Sequence, residues 1–238
     1  MNAVHIRRLR YLAAALVPVV LVASAFVGQT SPAVLSAVFL ILAMAPFFLR
    51  FERSRPQARQ IVPIAILSAL AAVGRVAFAF APQFKPTTAI ILVAGFCFGP
   101  SAGFLTGAVA ALASNFFFGQ GAWTPWQMAA WGLTGLLAGL LRNTRLPRSR
   151  IALAAFGAAS AMLFGAVMNL WHVLGFIRPL TVTTILAAYA ASLPFDLVHA
   201  GSTAVFLLIL GRPWIARIDR IRRKYGLDAE IDTVSGGD

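Results

Sequence analysis

Apolar residues run along this chain in eight long stretches, at about 11–28, 31–50, 60–82, 87–100, 101–118, 126–142, 151–177 and 184–211. A helix needs roughly 20 mostly apolar residues to cross a hydrocarbon core of about 30 Å, so the pattern predicts about eight spanning helices. Helix breakers and charges divide them: Ser31-Pro32, the stretch Arg50 to Arg59, Pro82 to Pro86, Gly99-Pro100, Gly119 to Pro125, Arg142 to Arg150, and Arg178-Pro179. The fourth and fifth stretches are short for full spans, and Gly99-Pro100 is the least sharply marked boundary between them.

Composition strengthens this picture. Of 238 residues, 60% are hydrophobic and 11% charged, whereas a soluble domain carries about a quarter charged residues. The deficit suits a surface that mostly faces lipid. The net charge of +13 does not point to nucleic acid, because the basic residues lie between apolar stretches rather than in a patch with interleaved aromatics. Seventeen of the twenty basic residues fall in alternate connections, at 7–10, 50–59, 142–150 and 212–224. The positive-inside rule then puts both termini in the cytoplasm. Lys85 and Arg178 remain outside, and Arg75 lies within a span. Arg7, Arg8 and Arg10, the apolar stretch after them and Ala23-Ser24-Ala25 resemble a cleavable leader, but the length of that stretch favours an uncleaved first helix. The tail from Asp219 reads as a solvated, partly disordered end whose basic part rests on anionic headgroups. Cys97, the single cysteine, excludes an intrachain disulfide or a cysteine metal cluster.

Small residues recur at every fourth position, at Gly99, Gly103 and Gly107 and at Gly135 and Gly139, a spacing that lets helices approach closely in lipid. Polar residues inside spans are costly and usually functional. Arg75, Asn115, Asn169, His172, Asp196 and His199 fall inside or towards the outer half of their helices, and Gln127 and Trp131 share a face at i, i+4. Apolar walls with a few placed polar groups make a pocket for a flat, polar-edged molecule. Each residue also has a structural explanation: Arg75 and Asp196 could neutralise one another, Trp123, Trp126 and Trp171 suit an interfacial belt, and His172 and His199 could bond helix carbonyls. The functional case rests on their convergence. There is no G-x-x-x-x-G-K-[ST], H-E-x-x-H or G-x-S-x-G, so ATP hydrolysis through a phosphate loop and two common hydrolase chemistries are not expected.

The block from Leu92 to Gly107 (Leu-Val-Ala-Gly-Phe-Cys-Phe-Gly-Pro-Ser-Ala-Gly-Phe-Leu-Thr-Gly), with Ser114 to Gly121 and Trp123 to Met128, resembles the substrate-specific (S) components of energy-coupling factor (ECF) transporters, the prokaryotic vitamin importers. Met168 to Trp171 and Pro194 to His199 are similar to late segments of that family. The resemblance covers about 60–211 and implies a six-helix core with a substrate site in its outer half. It further implies a mobile loop at Pro82 to Pro86, carrying Lys85, and a coupling-subunit contact through the small residues Ala65 and Ala69. Two cytoplasmic ATPases would supply energy, and the S component would topple in the membrane to release substrate inward.

The expectation is therefore an all-α integral membrane protein: two extra transmembrane helices and a basic loop at 1–59, the six-helix core at 60–211, and a cytoplasmic tail at 212–238. Arg75, Asn115, Gln127, Trp131, Asn169, His172, Asp196 and His199 line the pocket, with Lys85 and Trp126 at its lid. No metal or cofactor is expected. The tryptophan-rich mouth suits an aromatic or macrocyclic vitamin, including a cobalamin-like one. The alternatives are a membrane enzyme using Asp196 and His199 as an acid/base pair, and a structural membrane subunit.

Overall fold

The computed structural model describes residues 58–225, together with Leu40, Ile41, Leu42, Met44, Ala45 and Phe48. The expected helix at 11–28 lies outside the described residues, as does all but those six positions of the helix at 31–50. Among the described residues, regular structure is entirely helical. The helices are α1 (Ala58–Ala77), α2 (Thr87–Phe98), α3 (Pro100–Phe118), α4 (Thr124–Leu140), α5 (Arg150–Phe176), α6 (Val182–Phe206) and α7 (Arg212–Lys224). Three helical runs, Pro100–Phe118, Arg150–Phe176 and Val182–Lys224, are long and apolar enough to cross a membrane.

The centre of the bundle is α2. An apolar stripe marks a helix covered on one side; a helix apolar all round must be enclosed. Every residue from Thr87 to Cys97 is buried, so the short fourth apolar stretch is a helix enclosed by the others. It turns back directly into α3. Gly99 supplies a positive φ of 92°, a conformation that costs glycine little, and Pro100 opens α3, where its missing N–H is not needed.

The four-residue glycine repeats fulfil the packing expectation. A Cβ on Gly103 would lie 2.2 Å from the Gly135 carbonyl oxygen, and one on Gly135 would lie 2.1 Å from that of Gly103. Backbone therefore meets backbone where α3 crosses α4. Outward-facing positions carry large apolar side chains such as Ile66, Val73, Ile151, Val182 and Leu197, while Thr88, Ser114, Asn115 and Thr203 are buried. That distribution suits a bundle surrounded by hydrocarbon.

Two boundaries differ from expectation. The first core helix stops at Ala77 rather than 82, although residues 78–82 remain apolar. Phe78 and Phe84 both pack on Phe206 of α6, with ring centroids 5.6 and 5.5 Å away, so the chain folds back through a left-handed Gln83. At the other end, helix continues past 211: a π-helical turn at Leu207–Gly211 joins α6 to α7. Trp214, Ile215 and Ile218 of α7 pack on the core around Leu153 and Leu207, and the Arg222 guanidinium donates to the Cys97 carbonyl near the end of α2. Asp219, the expected start of the partly disordered end, sits in this helix 3.6 Å from Arg222. Leu146, within the basic connection 142–150, borders the same cluster as Trp214, so two basic segments share one end of the bundle.

Candidate functional site

Asn115 organises the main polar network. It is fully buried, and its Oδ1 accepts from Arg75 Nη1 at 2.7 Å while its Nδ2 donates to Gln127 Oε1 at 2.8 Å and to Thr124 Oγ1 at 3.0 Å. A guanidinium has no acceptor, so Arg75 fixes which way the Asn115 amide points. The same Nη1 donates to Ser114 Oγ at 2.7 Å. Thr124 donates onward to Gln120 Oε1, 2.9 Å away, and accepts from the Gly121 N–H. One amide thus ties together α1, α3 and the start of α4.

Arg75 continues the network through its flat face. Its guanidinium carbon lies 4.6 Å from the Phe118 ring centroid and 4.9 Å from that of Trp131, within reach of cation–π attraction. Trp131 stacks on Phe164 at 4.5 Å, and Phe164 meets His199 edge-on at 5.2 Å. The Trp131 Nε1–H donates to Thr88 Oγ1 at 3.0 Å, and Thr88 Oγ1 lies 2.8 Å from His199 Nε2. Thr88 Oγ1 thus bridges the Trp131 indole and the His199 imidazole.

Lys85 stands at the edge of this network, in the loop after α1. Its Nζ lies 5.0 Å from the Phe118 centroid, on the ring that Arg75 also faces, and its carbonyl accepts from Ser202 of α6 at 3.1 Å. Burial first, and the Arg75 charge second, push the Lys85 ammonium below the ordinary lysine range.

A second polar cluster lies between α5 and α6. Asn169 Nδ2 donates to Ser192 Oγ at 2.6 Å and to Asp196 Oδ2 at 3.1 Å, and Ser192 donates to the same carboxylate oxygen at 3.0 Å. Gly165 makes room: a Cβ there would be 2.2 Å from Asp196 Oδ1. Arg75 and Asp196 are therefore not partners of one another. Among the described residues Asp196 and His199, though three residues apart, also bond to different groups.

The structure thus brings together Arg75, Lys85, Asn115, Gln127, Trp131 and His199, and sets Asn169 and Asp196 in a neighbouring cluster. His172 is exposed and stacks on Phe176 at 5.7 Å. Trp126 is buried with Leu40 and Leu174 in an apolar cluster. Ala65 and Ala69 lie exposed on α1, beside the exposed Ile66 and Leu70. Sequence reasoning did not single out Ser114, Thr124, Thr88, Phe118, Phe164 or Ser192. Ser114 and Thr124 could have been found as neighbours of chosen residues, whereas Thr88 sits on a helix with no polar face, and Phe118 and Phe164 look like any lipid-facing or core phenylalanine. Between α2 and the π turn lies an apolar cavity of about 20 Å³ lined by residues including Val93, Leu210 and Trp214. It has room for no more than one water, and so is no substrate chamber.

Comparison with known proteins adds the family. Residues 59–211 match the family described as ECF transporter, substrate-specific component. A UPF0397 protein of Aliivibrio salmonicida is 26% identical over 160 residues, covering 64% of this chain and 86% of that protein. A UPF0397 protein of Vibrio atlanticus is 27% identical over 163 residues, with the same coverage of each chain. No solved structure is a significant match to the chain. Members of this family are membrane subunits of transporters rather than enzymes; they bind a small-molecule substrate and work with a membrane coupling subunit and ATPases. With an all-helical bundle, membrane-length apolar helices and a family match over most of its described residues, this chain belongs to the substrate-specific components of ECF transporters.

Proposed function

We propose that this chain captures a vitamin or related micronutrient at the outer side of a prokaryotic cell membrane. It hands the substrate inward together with a separate coupling subunit and two cytoplasmic ATPases. One observation carries the reading: five helices of an otherwise apolar bundle converge hydrogen-bonding groups on a single network, from Arg75 and Asn115 to Trp131 and His199, and a sixth adds the aromatic face of Phe164. Polar groups are expensive in hydrocarbon, and a network that crosses so many helices suits a site meant to exchange its internal bonds for a ligand's.

In this reading the aromatic surface of Trp131 and Phe164 receives a flat ring, Asn115 and Gln127 recognise its polar edge, and the loop from Phe78 to Pro86 opens to admit it. Asn169 and Asp196 extend the site towards α5 and α6. The exposed small face of Ala65 and Ala69 suits close approach by the coupling subunit. The multi-pass arrangement, with two helices ahead of the 60–211 core and both termini in the cytoplasm, belongs to the same proposal.

The test is mass spectrometry of small molecules retained by the protein after gentle purification. A stoichiometric vitamin-like compound is expected, with weaker retention in Asn115→Ala and Asp196→Ala and unchanged membrane insertion. An empty protein that also binds no member of a vitamin panel refutes capture.

A further inference from the structure

Building on that reading, we infer that the substrate is an organic anion, an aromatic compound whose carboxylate or phosphate sits between Arg75 and Lys85. Both cations approach one ring, Phe118, at 4.6 and 5.0 Å. Arg75 is only 9% exposed, and the side-chain groups it bonds are neutral oxygens of Ser114 and Asn115. Among the described residues only Asp196 and Asp219 are acidic. Asp219 pairs with Arg222 on α7, and Asp196 is held by Asn169 and Ser192.

Arg75 is thus buried with no described carboxylate to answer it, and Lys85, half-buried in the loop, brings a second positive charge to the same ring. Buried charges are normally paired, because an isolated one is costly. Cation–π contact and neutral hydrogen bonds offset part of that cost without cancelling the charge. The Arg75 guanidinium alone satisfies Ser114 and Asn115, so Lys85 is not needed to hold them. An incoming anion would supply the missing charge, with Arg75 offering its remaining N–H groups as a fork and Lys85 closing as a point charge from the loop. The stacked Trp131–Phe164 pair lies beside them to receive the ring.

The experiment uses the full chain in lipid nanodiscs and equilibrium binding of named probes: nicotinate and 4-aminobenzoate as carboxylates, pyridoxal phosphate as a phosphate, nicotinamide, 4-aminobenzamide and pyridoxal as their neutral counterparts, and thiamine as a cation. Saturable binding is expected for at least one anion. Its neutral counterpart should bind at least tenfold more weakly, and which anion binds distinguishes carboxylate from phosphate. Arg75→Gln and Lys85→Gln should each lower that affinity about tenfold or more, whereas Lys85→Arg retains most of it and Arg75→Lys, which keeps the charge but not the fork, loses less than Arg75→Gln. Equal binding of neutral and anionic members, preference for thiamine, or full affinity in both Gln variants overturns the anion assignment and leaves capture standing. Absence of saturable binding for every probe, together with no retained compound on purification, overturns capture and this inference with it.

Discussion

Thr88→Val is the sharpest test of the hydrogen-bonded network. Valine has the shape of threonine, so the substitution removes one hydroxyl and opens no cavity. It strands two groups at once: the Trp131 Nε1–H, 3.0 Å away, and His199 Nε2, at 2.8 Å. Both side chains are buried, at 4% and 6% exposure, so neither gains a water in exchange. An unsatisfied buried polar group costs about 1–3 kcal/mol, while an interhelical bond within a membrane averages only ~0.6 kcal/mol net. For two groups the expected loss is therefore about 1–3 kcal/mol, or roughly 5- to 150-fold in the folding equilibrium. Thr203→Val is the control. Thr203 is equally buried, but its hydroxyl donates to the His199 carbonyl one turn earlier on its own helix. That carbonyl keeps its helix-ladder bond, so the loss should stay below ~0.5 kcal/mol. Reversible unfolding by titration with a denaturing detergent, followed by tryptophan fluorescence, measures both. If Thr88→Val costs no more than Thr203→Val, Trp131, Thr88 and His199 do not form a stabilising unit.

Other substitutions probe the remaining contacts. Gly135→Ala should destabilise by more than ~3 kcal/mol or prevent folding, because its Cβ would enter the Gly103 backbone; Gly201→Ala, with nothing within 4 Å, should be neutral or stabilise by up to ~1 kcal/mol. Melting and monodispersity of the two variants, side by side, check this. Gly165→Ala should displace the Asp196 carboxylate from Asn169 and Ser192, and its effect should be less than additive with Asp196→Ala in a double-mutant cycle. If Lys85 helps hold an anion, affinity should fall as pH rises, and should begin to fall below the ordinary lysine range because burial and Arg75 lower its proton affinity. The same shift means that the folded state binds fewer protons than the unfolded one in that window, so stability should rise while anion affinity falls. Lys85→Arg should remove the alkaline loss of binding, read by titrating the bound probe across pH.

The helical, lipid-facing character of this chain was set by composition and run length, because hydrocarbon leaves a backbone little choice but to satisfy itself within each helix. For the same reason most core helix boundaries fell within two residues of expectation, and the glycine repeats announced a close helix contact. Asn115, Arg75, His199 and Asp196 stood out because a polar residue in an apolar run is rare whatever it touches. Which of them touch was decided only by tertiary packing. Arg75 and Asp196 looked like natural partners by charge, yet they sit on different pairs of helices and bond different groups. Thr88 gave no warning, since α2 is enclosed on every side and its polar residues occupy no distinct face. Phe118 and Phe164 became site residues only when the fold placed cations or rings against them. The helical stop at Ala77 and the continuation through α7 were tertiary outcomes too. An aromatic cluster on Phe206 turned an apolar run back on itself, and the apolar side of a basic segment found the core beneath α2, where burial outweighs a charged composition.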